Sequence, residues 1–308
     1  MIMNDTVDYN ISETEPGSRV KPAFLRYHEI PPKEDDEFIT KQQTKFLTKP
    51  KKYTFSKKVD AFLVEVYKVY KFFTLFFKES FRSPFHLREL INQCYEVGLK
   101  SLPLITLTGF IVGIVFTKQS RPSLEEFGAQ SWLPSLMGIA IIKALGPLVT
   151  ALICAGKVSS GIGAELGSMK VTEQIDAMEV SAVNPFKYLV ITRVWATTLI
   201  IPVLVFYCSF VALLGSSINV NTNDSTSFLS FYQNAFLRIS FIDFSESVFK
   251  SIIYGFTIGF VGCFKGYNAD QGTRGVGKAA NQAVVLAMFL VFIEEIMTVQ
   301  IFNWFRAF

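Results

Sequence analysis

The chain has 308 residues, of which half are hydrophobic and 31 are phenylalanine, and its mean hydropathy is +0.34. That is too apolar for an ordinary soluble domain and makes an integral membrane protein the first reading. The formal charge of +4 averages two unlike regions: a densely charged stretch over 1–58 and long, almost uncharged stretches after residue 100.

The N-terminus, MIMNDTVDYNISETEPG, has no basic region followed by an apolar core, so no cleavable signal peptide is visible, and its acidic residues argue against a transit peptide. Residues 1–57 mix acidic and basic patches with Pro31-Pro32 and few clustered apolar residues, the composition of a polar, flexible cytoplasmic tail. Next, over 58–80, the run VDAFLVEVYKVYKFFTLFF gathers Asp60, Glu65, Lys68, Lys71 and Lys78 toward one side of a helix. Aromatic and aliphatic residues cover the broad opposite arc. Such a helix suits the membrane interface, with lysine stems reaching out to the headgroups.

Five stretches are then long and apolar enough to cross a bilayer, near 99–118, 136–155, 188–216, 247–264 and 281–303. Gly109 and Gly113 in the first, and Gly255, Gly259 and Gly262 in the fourth, put small residues along one helix face, where helices can approach closely. The connecting segments differ in charge. Segment 156–187 carries Lys157, Lys170 and Lys187, and segment 265–280 carries Lys265, Arg274 and Lys278. By contrast, 217–245 has Arg238 alone, opposed by Asp224 and Asp243, and 119–135 has only Arg121, with Lys118 at its edge. With the lysine-rich stretch 41–58 also inside, the positive-inside rule predicts a cytoplasmic N-terminus and an external C-terminus.

Two motifs resemble catalytic ones and fail on context. Residues 272–279 read GTRGVGKA, close to the phosphate-binding GxxxxGK[ST], but Ala279 stands where the magnesium-binding hydroxyl belongs, and a span precedes the segment where a strand is required. Its glycines read instead as a tight turn. Around Ser159, GKVSSGIG has Lys157 where a nucleophile elbow needs glycine, and the two histidines, His28 and His86, lie outside the spans. Cys94, Cys154, Cys208 and Cys263 are scattered without a CxxC pair and read as small core residues. No catalytic, metal or cofactor site is expected in this chain.

Between the second and third spans, residues 168–181 form a helical run in which Val171, Ile175 and Met178 fall on one face while Lys170, Glu173, Gln174 and Glu179 occupy others. Asn184-Pro185 stops it. Spacing alone leaves two readings open, a solvated loop helix or an apolar ridge offered to a cytoplasmic partner. Residues 164–196, AELGSMKVTEQIDAMEVSAVNPFKYLVITRVWA, resemble the long signature of the permease subunits of Mla-type lipid ABC transporters, the MlaE/YrbE family. Three further stretches agree: GLKSLPLITLTGFIVGIVFTKQ at 98–119, LGPLVTALICAGKVSSGIGAELG at 145–167 and GYNADQGTRGVGKAANQAVV at 266–285.

The resemblance, which spans 85–303, implies an all-α membrane protein, an interfacial helix followed by five transmembrane helices, working as a homodimeric permease over 85–308. It implies location in a bacterial inner membrane with the C-terminus in the periplasm. ATP and Mg would be bound by a separate cytoplasmic ABC ATPase. An external partner with an MCE domain would exchange phospholipid, and no nucleic acid is involved. It also implies that 168–181 is the coupling helix, with Lys170, Val171, Thr172, Glu173, Gln174, Ile175, Met178 and Glu179 meeting the ATPase, Glu173 as charged anchor and Val171, Ile175 and Met178 as apolar ridge. A lipid cavity between the copies would be lined or gated by Gly109, Gly113, Lys143, Leu145, Gly146, Pro147, Glu294 and Glu295. Gly138 would help those helices shift.

Two departures from the family pattern bear on that cavity. Lys143-Ala144 precede Leu145-Gly146-Pro147 where the family commonly has Arg-Glu, and Glu294 stands where it often has Asp. Charges inside a span cost about 2.5–3.5 kcal/mol each on insertion scales, so Lys143, Glu294 and Glu295 are functional candidates or residues that snorkel to an interface. The same three residues would be the ion sites of an ion-coupled carrier or channel lacking an ATPase. A non-transporting scaffold that recruits a partner through its N-terminal tail is the third reading.

Overall fold

A computed structural model describes residues 57–82, 86–224 and 226–306; the tail expected over 1–57 lies, except for Lys57, outside them. The chain divides into two units at Ala61 and Phe62, and the packing below is that of the second, Phe62–Phe308.

All regular structure among the described residues is helical. Helix α1 is Lys57–Ser80, α2 is Leu87–Leu99 and α3 is Leu102–Glu126. A nearly continuous helix follows in three pieces, α4 (Leu133–Ala140), α5 (Gly146–Cys154) and α6 (Ser160–Val171), joined by π-helical turns at Ile141–Leu145 and Ala155–Ser159. Then come α7 (Gln174–Val180), a π turn at Phe186–Ile191 running into α8 (Thr192–Asp224), α9 (Phe228–Leu237), α10 (Phe241–Tyr267) and α11 (Thr273–Arg306).

Five stretches meet the length and hydropathy needed to cross a membrane: Leu87–Glu126, Gln130–Val171, Phe186–Asn223, Phe241–Tyr267 and Thr273–Arg306. Each contains or overlaps one predicted span and runs beyond it, because a helix keeps its backbone hydrogen bonds into polar residues that hydropathy excludes. Two helices were not foreseen. α2 is short of a span by itself. α9 lies in the segment read as a plain connection; Ser227 caps it by accepting from the Ser230 N–H at 3.3 Å, and Phe231 and Ala235 are buried against α4.

The third span, α8, forms the centre, with α3, α10, α2 and α5 packed along it. Small residues permit this. A methyl group on Gly113 of α3 would sit 2.0 Å from the Ala212 carbonyl oxygen of α8, and one on Gly259 of α10 would meet Thr197 Oγ1 at 2.1 Å. Close helix approach at the glycine stripes of spans one and four is therefore the observed arrangement.

The apolar face of α1 divides its work. Phe72 and Phe76 are buried, and Phe72 meets Phe186, Phe260 and Phe264 edge-on at 5.0–5.4 Å, the geometry aromatic rings prefer. Trp195 donates to Ser80 Oγ at 2.7 Å and pins the end of the helix. Phe62, Tyr67 and Tyr70 remain 64–68% exposed, as residues facing lipid would be.

Cys154, Cys208 and Cys263 sit in the core and Cys94 is half-buried. The GTRGVGKA segment is a helix–turn–helix junction: Gly272 takes φ of 87° and α11 begins at Thr273. A helix, not a strand, leads into it, so the setting of a phosphate loop is not formed.

Candidate functional site: a buried charge chain and the turn after span two

One face of α10 carries a polar stripe through an otherwise apolar helix: Asp243, Glu246, Lys250, Tyr254 and Thr257. The intervals of three and four residues hold it toward α11 and the second span. Lys250 and Glu246 are fully buried, their ammonium and carboxylate 3.1 Å apart. Lys250 also donates to Glu295 of α11 at 2.8 Å, and Tyr254 donates to the other oxygen of Glu295. From the second span Lys143 reaches Glu246 at 3.4 Å and Asp243 at 3.9 Å. Arg306 of α11 closes one end of the chain on Asp243 and lies 3.5 Å from Glu246.

Three cations thus face three carboxylates, and the chain is neutral as a whole. Its carboxylates are all engaged with cations, which suits holding helices together and not proton abstraction. Glu246 is held by charge alone, with neither carboxylate oxygen making a hydrogen bond. Glu294, next to Glu295, accepts from Thr257 at the far end of the same stripe. Lys143 sits within the π turn Ile141–Leu145, and π turns in helices recur at functional sites because the extra residue re-aims side chains.

At its other end the second span finishes in a sharp turn. The Thr172 hydroxyl donates to the Ser168 carbonyl at 2.9 Å, ending α6. Glu173 is left-handed, with φ 57° and ψ 17°, a backbone region unfavourable for a residue with a side chain. Its carbonyl accepts from the Ala177 N–H at 3.0 Å and starts α7, while Lys170 bridges the break to Asp176 at 3.1 Å. Ala182, also at positive φ, closes α7. Nearby, buried Arg193 of α8 donates to Glu165 of α6 at 2.7 Å.

The expected single helix over 168–181 is therefore two helices meeting at an angle. The expected ridge is also corrected. Ile175 is 1% exposed and Met178 packs beside it against the chain's own core, with Val171 half-buried. The periodic apolar residues mark the inward face, as in any surface helix. Across 168–181 the exposed residues are Ser168, Thr172, Glu173, Gln174, Asp176, Ala177, Glu179, Val180 and Ser181.

A profile of the family described as Permease MlaE matches residues 90–301. The chain belongs to the MlaE permease family. It is 32% identical over 224 residues to a probable ABC transporter permease of Rickettsia typhi, covering 71% of this chain and 85% of the relative. It is 34% identical over 211 residues to a probable ABC transporter permease of Synechocystis, covering 68% and 79%. With the intermembrane phospholipid transport system permease protein MlaE of Haemophilus influenzae it shares 31% identity over 222 residues, covering 71% and 84%.

In this MlaE-family chain several residues expected at a cavity serve packing within the chain itself. Gly109 and Gly113 are buried against Cys208 and Ala212 of α8. Gly146 lies where a methyl group would meet Ser209 Oγ at 2.1 Å, Gly138 faces the Ala235 backbone, Pro147 is buried and Leu145 packs into the α4–α9 cluster. Lys143, Glu294 and Glu295 converge on the polar stripe. Asp243, Glu246, Lys250, Tyr254 and Arg306 escaped the sequence reading, although Lys250 lies inside the predicted fourth span and is the kind of residue that marks a site.

Proposed function

We propose that this chain is the membrane-embedded permease of an ATP-driven phospholipid transporter and acts as a pair of identical copies. Family membership and the printed names of the relatives support an ABC permease and phospholipid cargo. In this reading a cytoplasmic ATPase binds ATP and Mg, an external MCE-domain partner exchanges lipid, and this chain catalyses no reaction. Its lysine and arginine distribution supports a cytoplasmic N-terminus and periplasmic C-terminus in a bacterial inner membrane.

The observation that carries the reading is that one helix joins two features. The second span bears Lys143 of the charge chain in its first π turn, passes through a second π turn and ends at exposed Glu173. A push on the α6–α7 turn travels along a helix whose π turns can slide, and reaches ion pairs that hold spans two, four and five together. Thr172, Glu173, Gln174 and Glu179 then form the ATPase contact, with Lys170 bracing the turn, and Ile175 and Met178 transmit force inward from beneath it. Charge pairs that break and re-form give the two discrete arrangements a transport cycle needs.

The test is purification from the native membrane with ATPase activity assayed beside Glu173→Lys. Activity that accompanies the parent and is lost from the variant is the expected result; full activity and lipid transfer in the variant refute the role of Glu173. The charge chain itself favours one competing reading, an ion-coupled carrier. That reading predicts flux dependent on a proton or sodium gradient and unchanged by Glu173→Lys.

A further inference from the structure

Beside the turn between α10 and α11 lie two depressions that share Glu65, Phe264 and Lys265 and so form one continuous wedge under α1. The polar half, about 220 Å³, is lined by Lys68, Lys265, Lys278, Asp270 and Gln282 among others. The apolar half, about 500 Å³, is lined by Phe62, Val66, Val69, Tyr70, Phe73 and Leu286. Neither half includes a residue of the charge chain or of the α6–α7 turn.

We propose that this wedge binds one anionic phospholipid from the leaflet on the side of the α6–α7 turn, with its phosphate in the polar half and an acyl chain along the apolar half. The charge balance selects the headgroup. Glu65 holds Lys265 at 2.9 Å and Asp270 holds Lys278 at 2.7 Å, from opposite walls. Both lysines are thereby positioned, and an ammonium with three N–H donors retains donors after one ion pair. Lys68, on the exposed side of α1, is a third cation against two carboxylates. The wedge therefore carries one net positive charge, matching a phosphodiester with one negative charge and mismatching a zwitterionic lipid.

The apolar half selects the tail. Phe62 and Tyr70 are 68% and 64% exposed, and the groove between them and Leu286 of α11 runs from the charged rim along an apolar helix face. Such a sequence of charge then grease, on a helix of interfacial character, is the profile of a glycerophospholipid. The existence of the site does not depend on the transport reading.

Tyr70→Trp in the full chain supplies a reporter within the groove; quenching by phosphatidylglycerol and by phosphatidylcholine with brominated acyl chains is then compared in mixed micelles. The signal of the parent's own Trp132, Trp195 and Trp304 is subtracted. Phosphatidylglycerol should quench the reporter half-maximally at an about fivefold lower mole fraction than phosphatidylcholine, the factor expected for one unmatched lysine at a membrane surface. In Lys68→Gln/Lys278→Gln that preference should fall below about twofold. Both positions are exposed, and if the double variant is misfolded on gel filtration, Lys68→Gln alone should lower the preference measurably.

Four outcomes overturn the proposal. Equal quenching by the two lipids means no headgroup is selected, and a preference that survives loss of the lysines means they do not select it. Quenching by neither means protein, either the N-terminal segment or a second copy, covers the groove. Abolition of the preference by millimolar glycerol 3-phosphate without displacement of the acyl chain means a soluble phosphate site. None of these results bears on ATPase coupling, so failure here and failure of the transport reading are separate.

Discussion

Replacing Lys250 with methionine removes the central cation of the charge chain while keeping nearly the same volume. The ammonium is fully buried and lies 3.1 Å from Glu246 and 2.8 Å from Glu295. Without it three carboxylates face two cations, and Glu295 keeps only the Tyr254 hydroxyl as a partner. Removing one member of a buried pair costs about 3–5 kcal/mol, because the remaining charge stays desolvated and uncompensated. For a domain of this size each kilocalorie corresponds to a drop in Tm of about 2–4 °C, so Lys250→Met should melt roughly 6–20 °C below the parent. The assay is thermal unfolding of the detergent-solubilised chain, followed by gel filtration of the fraction that stays folded. Lys250→Met/Glu295→Gln removes the orphaned charge and should recover more than half of the loss. A single variant that melts within about 2 °C of the parent, or a double variant that melts below both single variants, refutes the claim that these groups are a coupled, desolvated pair.

Gly113→Ala should destabilise the protein by about 1–3 kcal/mol on the same assay, since its methyl group would stand 2.0 Å from the Ala212 backbone oxygen and α3 must separate from α8. Glu173→Gly should leave the melting temperature unchanged or slightly raised, because glycine tolerates φ of 57°, while ATPase stimulation is lost; a clear fall in stability would show that the side chain supports the fold. Acid should loosen α1 from the α10–α11 turn. The Lys265 ammonium holds the Glu65 carboxyl below its ordinary value of 4.5, and Lys278 holds Asp270 below 3.8. A depressed folded pKa gives stabilisation that is full above the ordinary value and lost as pH falls through the lower folded one. Protease susceptibility of α1 should therefore stay flat from neutral pH to about pH 5 and rise below about pH 4; a rise already at pH 6 would point to other groups.

Much of the fold was legible because bilayer solvation is a strong filter. Backbone polar groups must be satisfied within each crossing segment, so a long apolar run already specifies a helix. Glycine spacing in spans one and four likewise signalled close contacts, which Gly113 and Gly259 make. Gly272 signalled a turn, and its left-handed backbone explains why glycine stands there. The long signature at 164–196 carried the family.

The site was legible only in pieces. Lys143, Glu294 and Glu295 stood out as single charges in apolar surroundings, but their partners lie far along the chain. Lys250 and Glu295 are 45 positions apart, and such pairing is decided by helix packing, which no local pattern encodes. Asp243 looked like an external loop charge until α10 was seen to begin at Phe241, making it both helix cap and partner of Arg306. Likewise, the apolar period in 168–181 specified a face without specifying what that face meets. Ile175 turned inward because left-handed Glu173 separates α6 from α7, a bend that periodicity of 3.6 cannot express. Composition and hydropathy by themselves determined a five-span helical membrane protein with a charged turn after its second span. The tertiary structure decided which buried charges neutralise each other, since a lone charge in a span is tolerable only where packing delivers its counterion.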